Sequence, residues 1–185
     1  MHFLLYVCLP VEEAETSIQA RRRVCRYLNE NQFVRKGRFG GCCDCFCVGG
    51  RYSGMLNLLQ LRHRHPKIFK RFYDQYKEIS FLQEGKDLFM SFFPDYEGVI
   101  PVCRDNVPTY GHPDDAQVMN EALYAKLKGG FNEYVTYEAG TYDTTSIIFK
   151  NPNVIFTDLG ENEWLDFDDA AGPGKHWVVV IDYHE

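Results

Sequence analysis

The order of patterns in this chain predicts an α+β fold: a single mixed, mostly antiparallel sheet with helices packed on one face. Three observations predict it. Apolar, β-rich runs lie near both ends, at residues 2–9 and 176–183. Helical patterns dominate much of the first half. Strand-like runs return in the second half, with no internal repeat. A chain of 185 residues with 45% hydrophobic content suits one domain spanning 1–185. Within it, residues 79–175 read as an elaborated insertion between core strands.

Residues 2–9 are short, apolar and stopped by Pro10, which predicts a buried strand. The run lacks a basic flank and a small-residue cleavage site, so it reads as a strand and not as a signal peptide. A helix is expected from Thr16 to Asn31, with Ile18, Val24, Cys25 and Leu28 as its apolar stripe. Glu12, Glu13 and Glu15 precede it and Arg21, Arg22, Arg23 and Arg26 follow, an order that suits the helix dipole. Residues 42–48 predict a second strand, halted by Gly49-Gly50. Met55–Leu61 is apolar, and its periodicity does not decide between helix and strand. Pro66 opens a helix to about Glu78 with Ile68, Phe69, Phe72, Tyr73 and Tyr76 on one side.

Scattered aromatics and prolines over 79–112 predict short irregular strands and loops. Pro113-Asp114-Asp115 opens a predicted helix to Lys128, closed by Gly129-Gly130. Strands are expected at 131–137, 145–149 and 153–157, then an acidic loop over 158–174. The nearly all-apolar run 176–183 predicts a strand in mid-sheet or covered on both faces.

Charged residues at 25%, with 15 Gly and 8 Pro, exclude collagenous, coiled-coil and disordered classes. No apolar run approaches the ~18 residues of a membrane span. The net charge of −6 conceals a segregation. Residues 21–77 hold 14 Lys/Arg and three Asp/Glu, whereas residues 78–185 hold six and 20. If this survives folding, one face is positive and another negative; otherwise the halves neutralise each other. Seven cysteines, four of them within residues 42–47, do not make a disulfide framework. A reducing, cytoplasmic setting is expected.

Gly49-Gly50-Arg51-Tyr52-Ser53-Gly54 is the most specific local element. Glycines permit positive φ, and successive backbone N–H groups in such a turn form an anion-binding concavity. Arg51 adds a bidentate donor and Ser53 a hydroxyl. The spacing is neither that of a P-loop nor of a dinucleotide fingerprint. The competing reading is a tight structural turn with Tyr52 in the core and Arg51 bridged to Asp44 or Asp182. Asp182 and His184 share one strand face, and with Asp44 they compose an Asp/Asp/His set suited to a metal or to acid–base chemistry. The competing reading there is an edge residue and a frayed end. The cysteine cluster reads as core packing, since alternate strand positions hold one zinc ion with difficulty.

Basic residues Arg62, Arg64, Lys67, Lys70 and Arg71 suggest a positive surface. The interleaved aromatics follow helical spacing and so face the core. The sequence pI of about 5.5 argues against a dedicated nucleic-acid binder.

The run Asp44-Cys45-Phe46-Cys47-Val48-Gly49-Gly50-Arg51-Tyr52-Ser53-Gly54 resembles small phage and bacterial proteins of unknown function. They carry an Asp, an aromatic-rich strand, then Gly-Gly-Arg-Trp/Tyr-Ser-Gly. They also end in an apolar strand closing in Asp-x-His, here Asp182-Tyr183-His184. Tyr52 stands where Trp is more usual, and cysteines replace aromatic and β-branched residues. The resemblance covers two short segments. It implies a phage setting and proximity of residues 44–54 to 182–184.

These readings lead to a non-enzymatic binding or regulatory protein with no cofactor and no metal. Its expected site is Gly49, Gly50, Arg51, Tyr52, Ser53, Asp44, Asp182 and His184, holding a small anionic, nucleotide-like ligand. A host protein inhibited through a charged face is the other expected partner. The alternative is a metal-assisted phosphoester hydrolase using Asp44, Asp182 and His184. A third reading is a phage structural or assembly protein.

Overall fold

The computed structural model describes residues 2–30, 45–76, 82–100, 109–128, 145–149 and 172–184. Among these, six strands form one sheet: β1 (His2–Pro10), β2 (Cys45–Gly50), β3 (Thr109–Tyr110), β4 (Ala116–Val118), β5 (Thr145–Phe149) and β6 (His176–His184). The helices are α1 (Ser17–Glu30), α2 (Met55–Arg64), α3 (Pro66–Tyr76), α4 (Leu82–Phe92) and α5 (Glu121–Lys128).

The strand order is β3-β2-β6-β1-β5, and β4 also pairs with β6. β1 and β6 run antiparallel along their whole length, from His2 opposite His184 to Pro10 opposite His176. β5 is parallel to β1, and the other pairings are antiparallel. The sheet is therefore mixed and mostly antiparallel, within an α+β fold. The second edge of β6 is divided. β2 pairs with it from His184 to Ile181 and then turns away at Gly49. β4 takes the edge from Val179 to Trp177.

Helices cover both faces of the sheet, which corrects the one-face expectation. Leu4, Tyr6, Cys8, Val178 and Val180 pack with residues of α2, α3, α4 and α5. The alternate residues Leu5, Val7, Leu9, Val179 and Ile181 pack with Ala20, Val24, Tyr27 and Leu28 of α1. The reason is in the strands themselves. β1 and β6 are apolar at consecutive positions, so either face left bare would put a row of Leu, Val and Ile in water.

α1 lies where its periodicity places it, although Ile18 is 50% exposed and Ala20 and Tyr27 complete the buried stripe. Met55–Leu61 is helical, in α2. In α3, Phe69, Phe72 and Tyr76 are buried and Ile68 is 40% exposed. Phe72 meets Tyr76, Phe89 and Phe69 at ring-centroid distances of 5.2, 5.4 and 5.7 Å. Such aromatic pairs contribute ~0.5–1.5 kcal/mol each beyond their area burial.

Two local expectations are overturned. Residues 82–92 are a helix, not loops and short strands. The helix docks Phe89 into the aromatic cluster, and this burial overrides the helix-weakening Gly85 and Ser91. Residues 113–128 are not one helix. Pro113–Asp115 makes a single 3₁₀ turn, β4 follows, and α5 begins only at Glu121. Sheet pairing overrides helix propensity here, because β4 occupies the stretch of β6 that β2 has left. α5 then starts on Asn120, whose side-chain oxygen accepts from Leu123 N–H at 2.9 Å.

β4, α4 and α5 all contribute buried residues, so the described parts of 79–175 share the core of the chain. The expected strands at 131–137 and 153–157, most of the acidic loop, and Cys42, Cys43 and Asp44 lie outside the described residues. No helix among the described residues is long and apolar enough to cross a membrane.

Candidate functional site

β2 and β6 bring the two distant sequence segments side by side. Cys47 lies opposite Asp182 and Cys45 opposite His184. Beyond β2 the chain enters the glycine turn. Gly49, Gly50 and Gly54 have φ of +75°, +58° and +81°, a region that side chains with a Cβ rarely adopt. Gly54 is the residue from which α2 departs.

The anion-binding character of this turn is present, and the anions that engage these donors belong to the chain. Arg51 donates its backbone N–H to Asp182 Oδ2 at 2.9 Å. Gly54 N–H donates to Asp115 Oδ1 at 3.0 Å, and the Ser53 hydroxyl lies 2.9 and 3.0 Å from the two Asp115 oxygens. His112 N–H donates to Asp115 from the other side at 3.2 Å. Each glycine of the pair clears room for one of these carboxylates. A Cβ on Gly49 would meet Asp115 Cγ at 2.7 Å, and one on Gly50 would meet Asp182 Cβ at 2.6 Å.

Asp115 and Ser53 are fully buried, and Asp182 is 4% exposed. Burial raises the Asp115 carboxyl above the ordinary aspartate range, opposed by the hydrogen bonds from Gly54, Ser53 and His112 and by the His112 side chain. Tyr52 is buried in the core beside α2. Arg51 is exposed and His184 is half-buried. Of the expected site, Asp182 meets the glycine turn at Gly50 and Arg51, whereas Tyr52 turns into the core, His184 lies opposite Cys45 at the other end of β2, and Asp44 lies outside the described residues. Sequence reasoning missed Asp115, which lies 62 positions from Ser53. It read there as a helix opener, and no local pattern could have marked it as the partner of the turn.

Among the described residues, no three His, Cys, Asp or Glu side chains are grouped to hold a metal ion. Cys8 is fully buried and Cys45 is exposed. The half-buried Cys47 thiol is pushed up to about 12, chiefly by burial and then by the Asp182 carboxylate.

A second chemically distinctive surface lies on the α2–α3 corner. Arg64, Lys67, Lys70 and Arg71 are exposed, as are His63 and His65 on either side of Arg64. From Cys45 to Lys77 the sequence contains one acidic residue, Asp74, which pairs with Lys70 at 2.9 Å. The first turn of α3 contains no acid, although the positive end of the helix dipole would favour one. Lys67 and Lys70 instead concentrate positive potential there.

The surface is tied to the frame by amides. Arg64 donates to Gln60 Oε1 at 3.3 Å, and Asn120 donates to the same oxygen at 3.0 Å. Gln60 in turn donates to Gln117 of β4. Phe69, Phe72 and Tyr76 point into the core, so these three rings are not available to stack on bases.

Comparison with protein-family models, with curated proteins and with solved structures found no match to this chain.

Proposed function

We propose that the protein is a non-enzymatic binding protein that docks an acidic protein surface on the cationic corner of α2 and α3. The observation that carries the reading is the exposed run from Arg64 to Arg71, set on rigid helices, with cations where the α3 dipole already concentrates positive potential. An acidic partner relieves that unfavourable arrangement. Ile68, 40% exposed within the run, supplies an apolar contact of the kind found in the core of protein interfaces.

One feature favours a protein over a nucleic acid. The core-facing rings of α3 offer no stacking platform. The resemblance of residues 44–54 and 182–184 to phage and bacterial proteins supports a host protein as the partner. The glycine turn, in this reading, holds the frame through Asp115 and Asp182.

The test titrates the full chain with a glutamate-rich peptide and, separately, with a single-stranded oligonucleotide. Peptide binding that weakens with salt, and falls by about tenfold or more in Arg64→Glu/Lys67→Glu, supports the reading. Tight oligonucleotide binding without peptide binding overturns it, as does peptide binding that ignores the charge reversal.

A further inference from the structure

The opposite face of the sheet carries a different hollow. A cleft of about 430 Å³ lies between the 3₁₀ turn Val11–Glu13 and α1. Glu12, Glu13 and Glu15 line one part of it. Gln19, Arg22, Arg23 and Arg26 line the other. Those four positions follow helical spacing, so they form one stripe on α1.

Three guanidiniums on one stripe repel one another unless an anion lies among them. The facing glutamates are the obvious anions, yet the cleft keeps them apart. Among the described residues, Glu12, Glu15, Arg22, Arg23 and Arg26 make no ion pair. The turn that carries Glu12 and Glu13 is held by the backbone. Val11 N–H donates to Lys175 O at 3.1 Å, and Ala14 O accepts from Trp177 Nε1–H at 2.8 Å. The turn is thereby fastened to the sheet by residues at the start of β6. The corner into α1 is held by Gln19 Oε1, which accepts from Glu15 N–H at 2.8 Å.

We propose that this cleft binds a small zwitterion. Its carboxylate or phosphate is held by the guanidinium forks of Arg22 and Arg26, and its ammonium group by Glu12 and Glu15. The volume falls in the range of pockets that take small molecules, ~300–1,000 Å³. Such a ligand meets Arg22 and Arg26 at one end and Glu12 and Glu15 at the other, whereas a singly charged molecule engages only one of these two groups. The site is independent of the cationic corner, which sits beyond the other face of the sheet.

The experiment titrates the full chain with 6-aminohexanoate, hexanoate and hexylamine, followed by amide chemical shifts. The expected result is saturable binding of the zwitterion, with shifts at Glu15, Gln19 and residues 22–26, and about tenfold weaker binding of either singly charged analogue. Arg22→Ala and Glu15→Ala, both at exposed positions, each weaken the zwitterion by a similar factor while circular dichroism stays unchanged. Equal binding of the three probes overturns the proposal. So does zwitterion binding that survives both substitutions, or no saturable binding at millimolar concentration.

Discussion

Ser53 and Asp115 lie 62 positions apart in sequence and 2.9 Å apart in space, with the hydroxyl of one donating to the carboxylate of the other in a fully buried setting. This contact joins the turn after β2 to the 3₁₀ turn before β4. It lies where β2 leaves β6 and β4 takes over its edge.

The contact predicts a coupled loss. Ser53→Ala removes one donor from a buried carboxylate and is expected to destabilise by about 1–3 kcal/mol. Asp115→Asn leaves Ser53 and Gly54 N–H facing an amide and is expected to lose at least as much. The double variant should lose less than the sum, because the two changes act on one interaction. Urea unfolding of the three variants measures the coupling.

Gly49 predicts a contrast with Gly174. Both have positive φ, +75° and +77°. A Cβ on Gly174 meets nothing within 4 Å, whereas one on Gly49 strikes the Asp115 carboxylate. Gly174→Ala should therefore lose only the backbone term of about 1 kcal/mol. Gly49→Ala adds displacement of a buried, hydrogen-bonded carboxylate and should lose about 3 kcal/mol or more. Equal losses in urea unfolding would refute the role given to Asp115.

Two groups, the buried Asp115 and the half-buried His176, predict opposite pH slopes. The Asp115 carboxyl lies above its ordinary 3.8 because of burial. Its contribution to stability is full below that pH and is lost as pH rises through the raised folded value. The His176 imidazole lies below its ordinary 6.5, chiefly from burial, with Glu12 opposing and Lys175 adding. Its contribution is full above 6.5 and is lost as pH falls through the lowered value. Unfolding free energies of wild type minus Asp115→Asn should fall on raising pH from about 4. Wild type minus His176→Gln should fall on lowering pH from about 7.

The cysteines predict a labelling order. Cys45 is exposed, Cys47 is pushed up to about 12, and Cys8 is fully buried with its thiol raised by burial. Brief treatment with iodoacetamide near neutral pH should modify Cys45 first among these three. Cys8 and Cys47 should react only in denaturant. Peptide mass spectrometry reads the sites, and early modification of Cys47 would contradict its burial beside Asp182.

The glycine turn shows how far a local pattern reaches. Positive φ and free backbone donors were legible in Gly49-Gly50-Arg51-Tyr52-Ser53-Gly54. The identity of the acceptor was not, because Asp115 arrives only when β4 docks beside β2. The cleft on α1 has the same character. The arginine stripe and the three glutamates stand in plain view in the sequence as a dipole-compatible order. The position of the turn that carries Glu12 and Glu13 is set by anchors to Trp177 and Lys175, more than 160 positions away.

Local chemistry alone was enough to place β1, β6, α1 and the start of α3. Their apolar spacing repeats within one or two turns of backbone and needs no distant partner to be read. The helicity of 82–92, the break-up of 113–128, the cover on both sheet faces and the burial of Asp115 were decided by packing. Each depends on a surface made by other parts of the chain, and a hydrogen bond or an apolar contact acts over a few ångströms of space whatever the separation along the sequence.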